Sequence, residues 1–453
     1  MLHQFELFDS YFSLDANSGN LYMTDKSGAQ AIKLYENNSK EECIRLLLDS
    51  NDCETSKDDI EQFLHQLQEL KDEGKLYSPD ILPYIKKPNK KDKPLKALCL
   101  NVAHSCNLCC NYCFAAAGSF TDEQPLMPLS VGKAAIDFLI ESSKGRYNLD
   151  VDFFGGEPLL NIDVVKGIVE YSRSLEKTHQ KHFRFTFTTN GVLLNDDIIE
   201  YLNNNMDNVV LSLDGRKEVH DYFRKTPNGK GSYDIVVPKF QKFAKIRGDK
   251  EYYIRATFTR HNLDFFSDIL HMLSLGFNEL SMEPVVTSPD SPEAIRETDL
   301  PQIFEQYELL AKEMIERHKN GKPFGFYHYN ISLDNGPCLY KLLSGCGTGC
   351  EYMAVTPRGE LYPCHRFVGD ERFLLGNVFE GITNTVMVKE FAENCLLSHK
   401  ECKQCWAKYF CAGGCAANNF EASGCISGIY AIGCEMFKKR IECALAVKAL
   451  CAD

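Results

Sequence analysis

The chain has 453 residues, a formal net charge of −13 and an ordinary apolar share of 44%. This length predicts about three domains rather than one core. The acidic balance argues against a nucleic-acid-binding protein. No apolar run reaches the roughly 18 residues of a membrane span, and the first residues lack the basic-then-apolar order of a signal peptide. We therefore expect a cytosolic protein with no nucleic-acid or membrane partner.

The pattern of residues 1–85 predicts a small α+β domain, and a basic, proline-containing linker follows it at 86–94. Alternating apolar positions and turn residues indicate the strands, and apolar stripes at helical spacing indicate the helices. The predicted elements are strands at about 5–7, 11–14 and 21–23 and helices at about 27–36, 40–49 and 57–73.

Residues 95–320 alternate strand and helix patterns, which predicts parallel strands joined by right-handed crossovers. The predicted strands are 97–102, 149–154, 183–188, 208–213, 252–258 and 279–283. The predicted helices are about 129–142, 162–177, 196–204, 233–246 and 264–274. Unusual residues follow the strands directly, and ligand sites of parallel α/β folds lie at those strand ends. We expect an α/β fold with a partial (βα)6 barrel.

Twenty cysteines are many for a cytosolic chain, and their distribution is uneven. None occurs from 114 to 337, and thirteen lie from Cys338 onward. Disulfide scaffolds spread their cysteines, whereas metal sites cluster them. Residues 321–453 therefore predict a third domain that folds around metal.

One short loop after the first barrel strand carries Cys106, Cys109, Cys110 and Cys113. The spacing permits two triads, because either Cys109 or Cys110 can be the middle ligand. Three cysteines can hold a 4Fe–4S cluster whose fourth iron has no protein ligand and binds a small molecule. The alternative is a zinc site completed by His104.

Three further motifs follow later strands. Gly155-Gly156-Glu157 removes side chains where a ligand approaches the backbone and offers a carboxylate to an ammonium group. Ser212, with the acid at 214, offers acceptors to a ribose or an amino acid, although both residue types are also common helix caps. Arg255, inside a strand, needs a carboxylate partner if it faces the barrel interior.

Together these motifs resemble the radical S-adenosylmethionine (SAM) superfamily. The resemblance implies that SAM binds the open iron and yields a radical that abstracts hydrogen from carbon. The implied catalytic cluster ligands are Cys106, Cys110 and Cys113. The residues implied for SAM are Tyr112, whose ring packs against a planar ligand, and Gly155, Gly156, Glu157, Ser212 and Arg255.

The C-terminal cysteine pattern, with Gly359 before Cys364, resembles the SPASM extension of that superfamily, which implies two auxiliary clusters and three 4Fe–4S clusters in all. The outer cluster would be held by Cys402, Cys405, Cys411 and Cys434. The inner cluster would be held by Cys346, Cys364 and Cys415, with Cys350, or its rival Cys338, as the fourth ligand. A pair of zinc sites is the alternative. The remaining cysteines are expected to be small buried hydrophobic residues: Cys43, Cys53, Cys99, Cys395, Cys425, Cys443 and Cys451.

The N-terminal domain resembles the winged-helix-like element with which radical SAM peptide maturases bind a leader peptide as an added strand. Residues 5–7, 15–19 and 345–369 look most like the maturases of six-cysteine (SCIFF-type) peptides, although Cys350 departs from that pattern. The resemblance implies thioether formation in a ribosomally made, cysteine-containing peptide, with a low-potential electron donor. The alternatives are sulfatase-type Cys or Ser oxidation, carbon–carbon crosslinking, epimerisation, and a metal-binding scaffold without turnover.

Overall fold

The computed structural model describes residues 1–50, 56–87, 93–115, 125–333 and 339–452. The predictions for Cys53, for Cys338 and for most of the basic linker concern residues outside these ranges. Among the described residues, no helix combines the length and the apolar character needed to cross a membrane.

The N-terminal domain has the predicted three strands and three helices. Its strands form an antiparallel sheet in chain order: Leu2–Leu7, Ser10–Asp15 and Asn20–Thr24. Its helices each begin after a side-chain cap, supplied by Asp25, Ser39 and Ser56: Lys26–Tyr35, Lys40–Leu48 and Lys57–Asp72. The likeness to a winged helix remains a prediction.

The central domain contains the six predicted parallel strands, which we call barrel strands 1 to 6 in chain order. They are Ala97–Ala103, Asn148–Gly155, His182–Thr189, Asn208–Ser212, Tyr252–Phe258 and Glu279–Pro284. Each pairs with the next in parallel register, from strand 1 across to strand 6. All their carboxyl ends therefore meet at one rim.

Alternate residues of the barrel strands face opposite sides. Phe153, Phe185 and Leu211 are fully buried on the helix-covered side. Their neighbours along the strands face the concave side, which we call the lumen. On strands 4, 5 and 6 the lumen positions include Ser212, Arg255 and Ser281, which register side by side. A polar lumen is thus enclosed by an apolar outer core.

The helices of the central and C-terminal domains include all five predicted between the barrel strands. They are Leu129–Ser142, Ile162–His179, Asp196–Asn205, Lys217–Phe223, Tyr233–Arg247, Phe265–Ser274, Leu300–Lys319, Leu339–Ser344, Thr385–Glu393, Lys408–Cys411, Ala416–Ser423 and Ala431–Leu450.

The sheet extends beyond the six strands that the sequence predicts. Gly325–Phe326 adds to strand 6, and Tyr352–Val355 adds in parallel to strand 1. Three short antiparallel strands follow: Glu360–Tyr362, Gly376–Asn377 and Gly381–Ile382. The C-terminal domain therefore continues the barrel sheet, and the predicted boundary near residue 321 falls inside a shared structural layer. Hydrogen bonds between strands far apart in the chain produce this extension of the sheet, and the periodicity of the sequence does not predict it.

The C-terminal helix Ala431–Leu450 connects the N-terminal domain to the rest of the molecule. His3 Nε2 lies 2.9 Å from Glu442 Oε1, and the His3 ring stacks on Trp406 with centroids 3.8 Å apart. Leu14 and Leu445 are fully buried in the same apolar cluster. These contacts hold the N-terminal sheet against the cysteine-rich domain.

Candidate active site at the barrel rim

The cysteine loop leaves barrel strand 1 at the rim, where the motif order predicts it. Cys109–Cys110 forms a short antiparallel pairing with Arg224–Lys225, which fixes the loop against the segment after the helix Lys217–Phe223. Cys106, Cys110 and Cys113 are partly accessible, whereas Cys109 is exposed. The pairing turns adjacent cysteines in opposite directions.

Three thiols of this loop share one neighbourhood. Burial raises the pKa of Cys106 to about 12, with the nearby Glu157 carboxylate and Cys113 thiol adding to the rise and hydrogen bonds from Leu108 and Asn190 opposing it. Burial likewise raises the pKa of Cys110 to about 12, with Arg224 opposing and Cys113 and Cys106 adding to the rise. Of the two triads that the spacing permits, the structure brings together Cys106, Cys110 and Cys113.

The cysteine loop suits an iron–sulfur cluster. The Leu108 backbone N–H and the Asn190 amide donate to Cys106 Sγ at 3.5 and 3.7 Å. Such N–H donors stabilise the negative charge of cluster-bound thiolates. When bound, the cluster would supply a single electron to a ligand at its open iron, and these donors would tune its potential.

The glycines of the Gly155–Glu157 turn accommodate protein backbone. A Cβ on Gly155 would lie 2.2 Å from the Ala103 carbonyl oxygen, and one on Gly156 would lie 2.2 Å from that of Ser105. The Gly156 N–H donates to Ala103 O at 2.7 Å, and the Glu157 N–H donates to Ser105 O at 2.9 Å. The missing side chains of these two glycines therefore let the turn pack on the cysteine loop. Close approach of a ligand to the same backbone stays a prediction.

Glu157 is fully buried beneath the rim. Its carboxylate accepts from the Thr189 hydroxyl at 2.7 Å, the Asn190 N–H at 2.8 Å and the Leu159 N–H at 3.0 Å. Burial raises its pKa to about 7 against these lowering bonds. Glu157 thus ties the ends of strands 2 and 3 together, and its contact with a SAM ammonium group remains a prediction.

Tyr112 belongs to a buried network that the sequence does not reveal. Its hydroxyl donates to Asp214 Oδ2 at 2.5 Å, and Arg224 Nε donates to the same oxygen at 2.8 Å. Asp214 Oδ1 accepts from the Thr257 N–H at 3.1 Å. The predicted ring contact with a planar ligand must therefore coexist with a fixed hydroxyl. Arg224 was missed because it lies in no recognisable motif, ten residues after Asp214.

Two predicted SAM residues become neighbours in the lumen. Ser212 ends strand 4 and registers with Arg255 on strand 5. Arg255 is exposed to the open lumen, and its guanidinium forms no hydrogen bond or ion pair with another described residue. Its guanidinium therefore presents positive charge to whatever occupies the lumen.

The C-terminal cysteines fall into the two predicted sets. Burial raises the pKa of Cys364 to about 12, and nearby Cys415 and Cys346 add to the rise; we call these three the inner thiol group. Burial also raises the pKa of Cys411 to about 12, with contributions from the rest of the outer thiol group, Cys434, Cys402 and Cys405. Among the described residues, neither set converges tightly enough for a single metal ion.

Cys350 stays the predicted fourth ligand of the inner group, with Cys338 as its rival. Cys350 is buried in the apolar cluster that also contains Cys364, and its thiol donates to the Val388 carbonyl at 3.6 Å. Of the cysteines expected to be buried, Cys43, Cys99, Cys395 and Cys443 are, whereas Cys425 is exposed and Cys451 is half-buried. The burial expectation was wrong for these last two, because Cys425 lies in a surface turn and Cys451 at the end of the last helix.

Residues next to the inner thiol group contact residues next to the cysteine loop. Phe114 directly follows Cys113, and His365 directly follows Cys364. The rings of Phe114 and His365 lie 5.6 Å apart, and Phe154 at the end of strand 2 lies 5.0 Å from the same histidine. The two cysteine sites are therefore neighbours, and we call the region of the lumen around these three rings the chamber.

Two family models match the chain: residues 100–273 match the radical SAM superfamily, and residues 346–406 match SPASM, an iron–sulfur cluster-binding domain. A cysteine-type anaerobic sulfatase-maturating enzyme of Clostridium novyi is 24% identical over 77% of this chain and 95% of its own length. The structure of anSMEcpe with bound AdoMet and the Cp18Cys peptide has a TM-score of 0.64 and 22% identity, covering 79% of this chain and 99% of its own. SuiB of Streptococcus suis bound to S-adenosylmethionine has a TM-score of 0.53 and 16% identity, covering 94% and 97%.

The chain is thus a radical SAM superfamily enzyme that carries a SPASM iron–sulfur domain. The two solved structures share its fold. The predicted enzyme class is confirmed.

Proposed function

We propose that the enzyme installs thioether crosslinks in a ribosomally synthesised, cysteine-containing peptide. The observation that carries the proposal is the contact between Phe114, which follows Cys113, and His365, which follows Cys364, because it makes the cysteine loop and the inner thiol group neighbours. A substrate cysteine near the inner group would lie beside the carbon from which hydrogen is taken. Proximity of the two reacting centres removes most of the entropic cost of joining them.

Three 4Fe–4S clusters would be held by the three thiol sets, and SAM would bind at the first. The cysteine loop would present the open iron, and the Gly155–Glu157 turn, Ser212 and Arg255 would orient SAM. The two SPASM clusters would carry electrons between the chamber and a low-potential donor. This assignment uses each thiol set once and leaves Cys109 outside all of them.

The leader peptide would dock on the N-terminal domain. The strand Asn20–Thr24 lies at an edge of its sheet and offers backbone groups for strand addition. Beside it, a cavity of about 370 Å³ opens between the first and third helices of the domain, lined by Thr24, Gly28, Leu47 and Phe63 among others. This cavity would take apolar leader side chains.

Sulfatase-type oxidation of a Cys or Ser side chain is the second candidate, favoured by the similarity to sulfatase-maturating enzymes. Such enzymes are expected to place an acid next to the last inner-cluster cysteine. This chain has His365 there, and that ring is packed between Phe114 and Phe154. Mass spectrometry of the modified peptide would also distinguish carbon–carbon crosslinking and epimerisation from thioether formation.

Co-expression with a cysteine-rich peptide encoded beside the enzyme tests the proposal. We expect the peptide to lose two hydrogens per bridge and the bridged cysteines to resist alkylation, as read by mass spectrometry. The Cys106, Cys110 and Cys113 triple alanine variant is the control and should leave the peptide unmodified. Loss of two hydrogens with every thiol still alkylated would contradict thioether formation and favour a carbon–carbon bond.

A further inference from the structure

We infer that Glu283 accepts the proton that the substrate thiol releases, with His328 and Ser281 as its positioning residues. The inference rests on the proposed function and names the acid–base group of the same chamber. Neither the cysteine motifs nor the family matches point to these residues.

Glu283 belongs to a chain of lumen side chains at the rim. His328 Nδ1 lies 3.1 Å from Glu283 Oε1, and His328 Nε2 lies 3.1 Å from Ser281 Oγ. The hydroxyl can donate to Nε2 only if Nδ1 carries the proton, so the imidazole N–H donates to the carboxylate. These hydrogen bonds fix Oε1 of Glu283, whereas Oε2 takes no part in them.

The second carboxylate oxygen faces a cation. Arg440 Nη1, on the C-terminal helix, lies 3.6 Å from Glu283 Oε2, beyond ideal hydrogen-bond distance. Burial acts to raise the pKa of Glu283, but the N–H that His328 donates and the charges of Arg440 and Arg255 together hold it below its usual value. Glu283 is therefore ionised at neutral pH, and its side chain keeps 34% of its area exposed. An anionic, accessible carboxylate can receive a proton.

The neighbouring histidine stays neutral. Burial lowers the pKa of His328 to about 4, with Arg440 and Arg255 adding to the decrease and Glu283 opposing it. A neutral imidazole donates one N–H to the carboxylate and does not compete for the proton. His328 is thus a positioning residue rather than the acceptor.

Arg255 connects this carboxylate to the chamber. It registers beside Ser281 on the adjacent strand, and its charge acts on both Glu283 and His365. A thiol between these groups would lie next to the Arg255 guanidinium, whose positive charge favours the thiolate form. Asp152 is the alternative proton acceptor, because burial raises its pKa to about 6. It lies three residues before the end of its strand, whereas Glu283 lies one residue before the end of its own and is therefore nearer the rim.

The proton balance of thioether formation requires such an acceptor. The carbon-bound hydrogen leaves as an atom to the SAM-derived adenosyl radical. The S–H bond would break as the sulfur–carbon bond forms, with the proton going to Glu283. The one surplus electron would need an oxidant, which an iron–sulfur cluster held by the thiol groups of the SPASM domain would supply. Without the acceptor, hydrogen abstraction continues while bond formation stalls.

The test uses Glu283→Gln, reconstituted enzyme and SAM, with the peptide that the wild-type enzyme modifies produced in deuterated medium. We expect deuterium to reach 5′-deoxyadenosine at a rate within about threefold of wild type, while thioether yield per 5′-deoxyadenosine falls about 100-fold, the usual range for a lost general base. Glu279→Gln, on the same strand and lumen face but at the opposite end, is the matched control and should match wild type.

A thioether yield in Glu283→Gln equal to wild type would overturn the inference, and so would equal loss of deuterium transfer and thioether. If Glu283→Gln does not fold, Glu283→Ala assayed with and without added formate decides, because formate should restore the bond only if a missing carboxylate is the defect. Absence of rescue would refute the role. A wild-type enzyme that forms no thioether would instead refute the proposed function.

Discussion

At the scale of single residues, Asn190 joins three parts of the active site. Its backbone N–H donates to Glu157, and its side-chain amide donates to Asn107 Oδ1 at 2.7 Å and reaches Cys106 Sγ at 3.7 Å. Donors to a ligating sulfur stabilise the reduced, more negative cluster. Asn190 therefore supports the turn, and it would tune a cluster held by Cys106.

Replacing the amide tests this tuning. We expect Asn190→Leu to make the reduction potential of the cysteine-loop cluster more negative, because the reduced state loses a donor, as measured by EPR-monitored redox titration. Asn205→Leu, a similar change at the end of a helix between barrel strands 3 and 4, is the control and should leave the potential unchanged. A potential that stays the same or rises in Asn190→Leu would contradict the role.

At the scale of elements, the site depends on how closely barrel strands 1 and 2 approach. The two glycines after strand 2 bring its turn against the carbonyls of Ala103 and Ser105, and Gly155 does so with φ of +124°, a region unfavourable for other residues. Backbone hydrogen bonds then hold the first residues of the cysteine loop. The turn and the loop are one structural unit.

A methyl group added at Gly156 should separate the turn from the cysteine loop. Gly156→Ala would meet the Ser105 carbonyl at 2.2 Å and displace the loop, so we expect about a third of the reconstituted iron to be lost, with the SPASM share retained. Iron analysis and SAM binding measure the effect. Gly145→Ala, where a Cβ meets open space, should retain full iron. Normal iron and SAM affinity in Gly156→Ala would show that the loop adapts.

At the scale of the whole molecule, buried groups that cannot ionise link folding to pH. His220 is fully buried, where Nδ1 accepts from the Asp214 N–H at 3.4 Å and Nε2 lies 2.9 Å from Ser232 Oγ. Burial lowers its pKa to about 4, with Arg224 adding to the decrease and Asp214 opposing it. In the unfolded chain the pKa of a histidine is about 6.5. Below that pH the unfolded state therefore binds a proton at His220, whereas the folded state does not.

The free energy of unfolding should therefore decrease as the pH falls. We expect His220 to contribute a loss of about 1 kcal/mol between pH 7.5 and pH 5.5, which His220→Gln abolishes. Urea denaturation of the reconstituted enzyme at both pH values measures this slope. His318→Gln, at an exposed helix end, should leave the slope as in wild type. An unchanged slope in His220→Gln would contradict the assignment.

The sequence alone determined the barrel strands, the intervening helices and the order of the cysteine motifs. It could do so because each depends on local spacing: apolar alternation along a strand, helical stripes, or ligands a few residues apart. The loop from Cys106 to Cys113 and the turn at Gly155 to Glu157 were both found in this way.

Only the tertiary structure decided which distant side chains meet. It placed Cys110 near Cys106 and Cys113, joined Tyr112 to Asp214 and Arg224, and brought Glu283 to His328 and Arg440. It also continued the barrel sheet into the cysteine-rich domain. The physical reason is that strand register and helix docking set contacts between residues far apart in the chain, and no local pattern encodes that register.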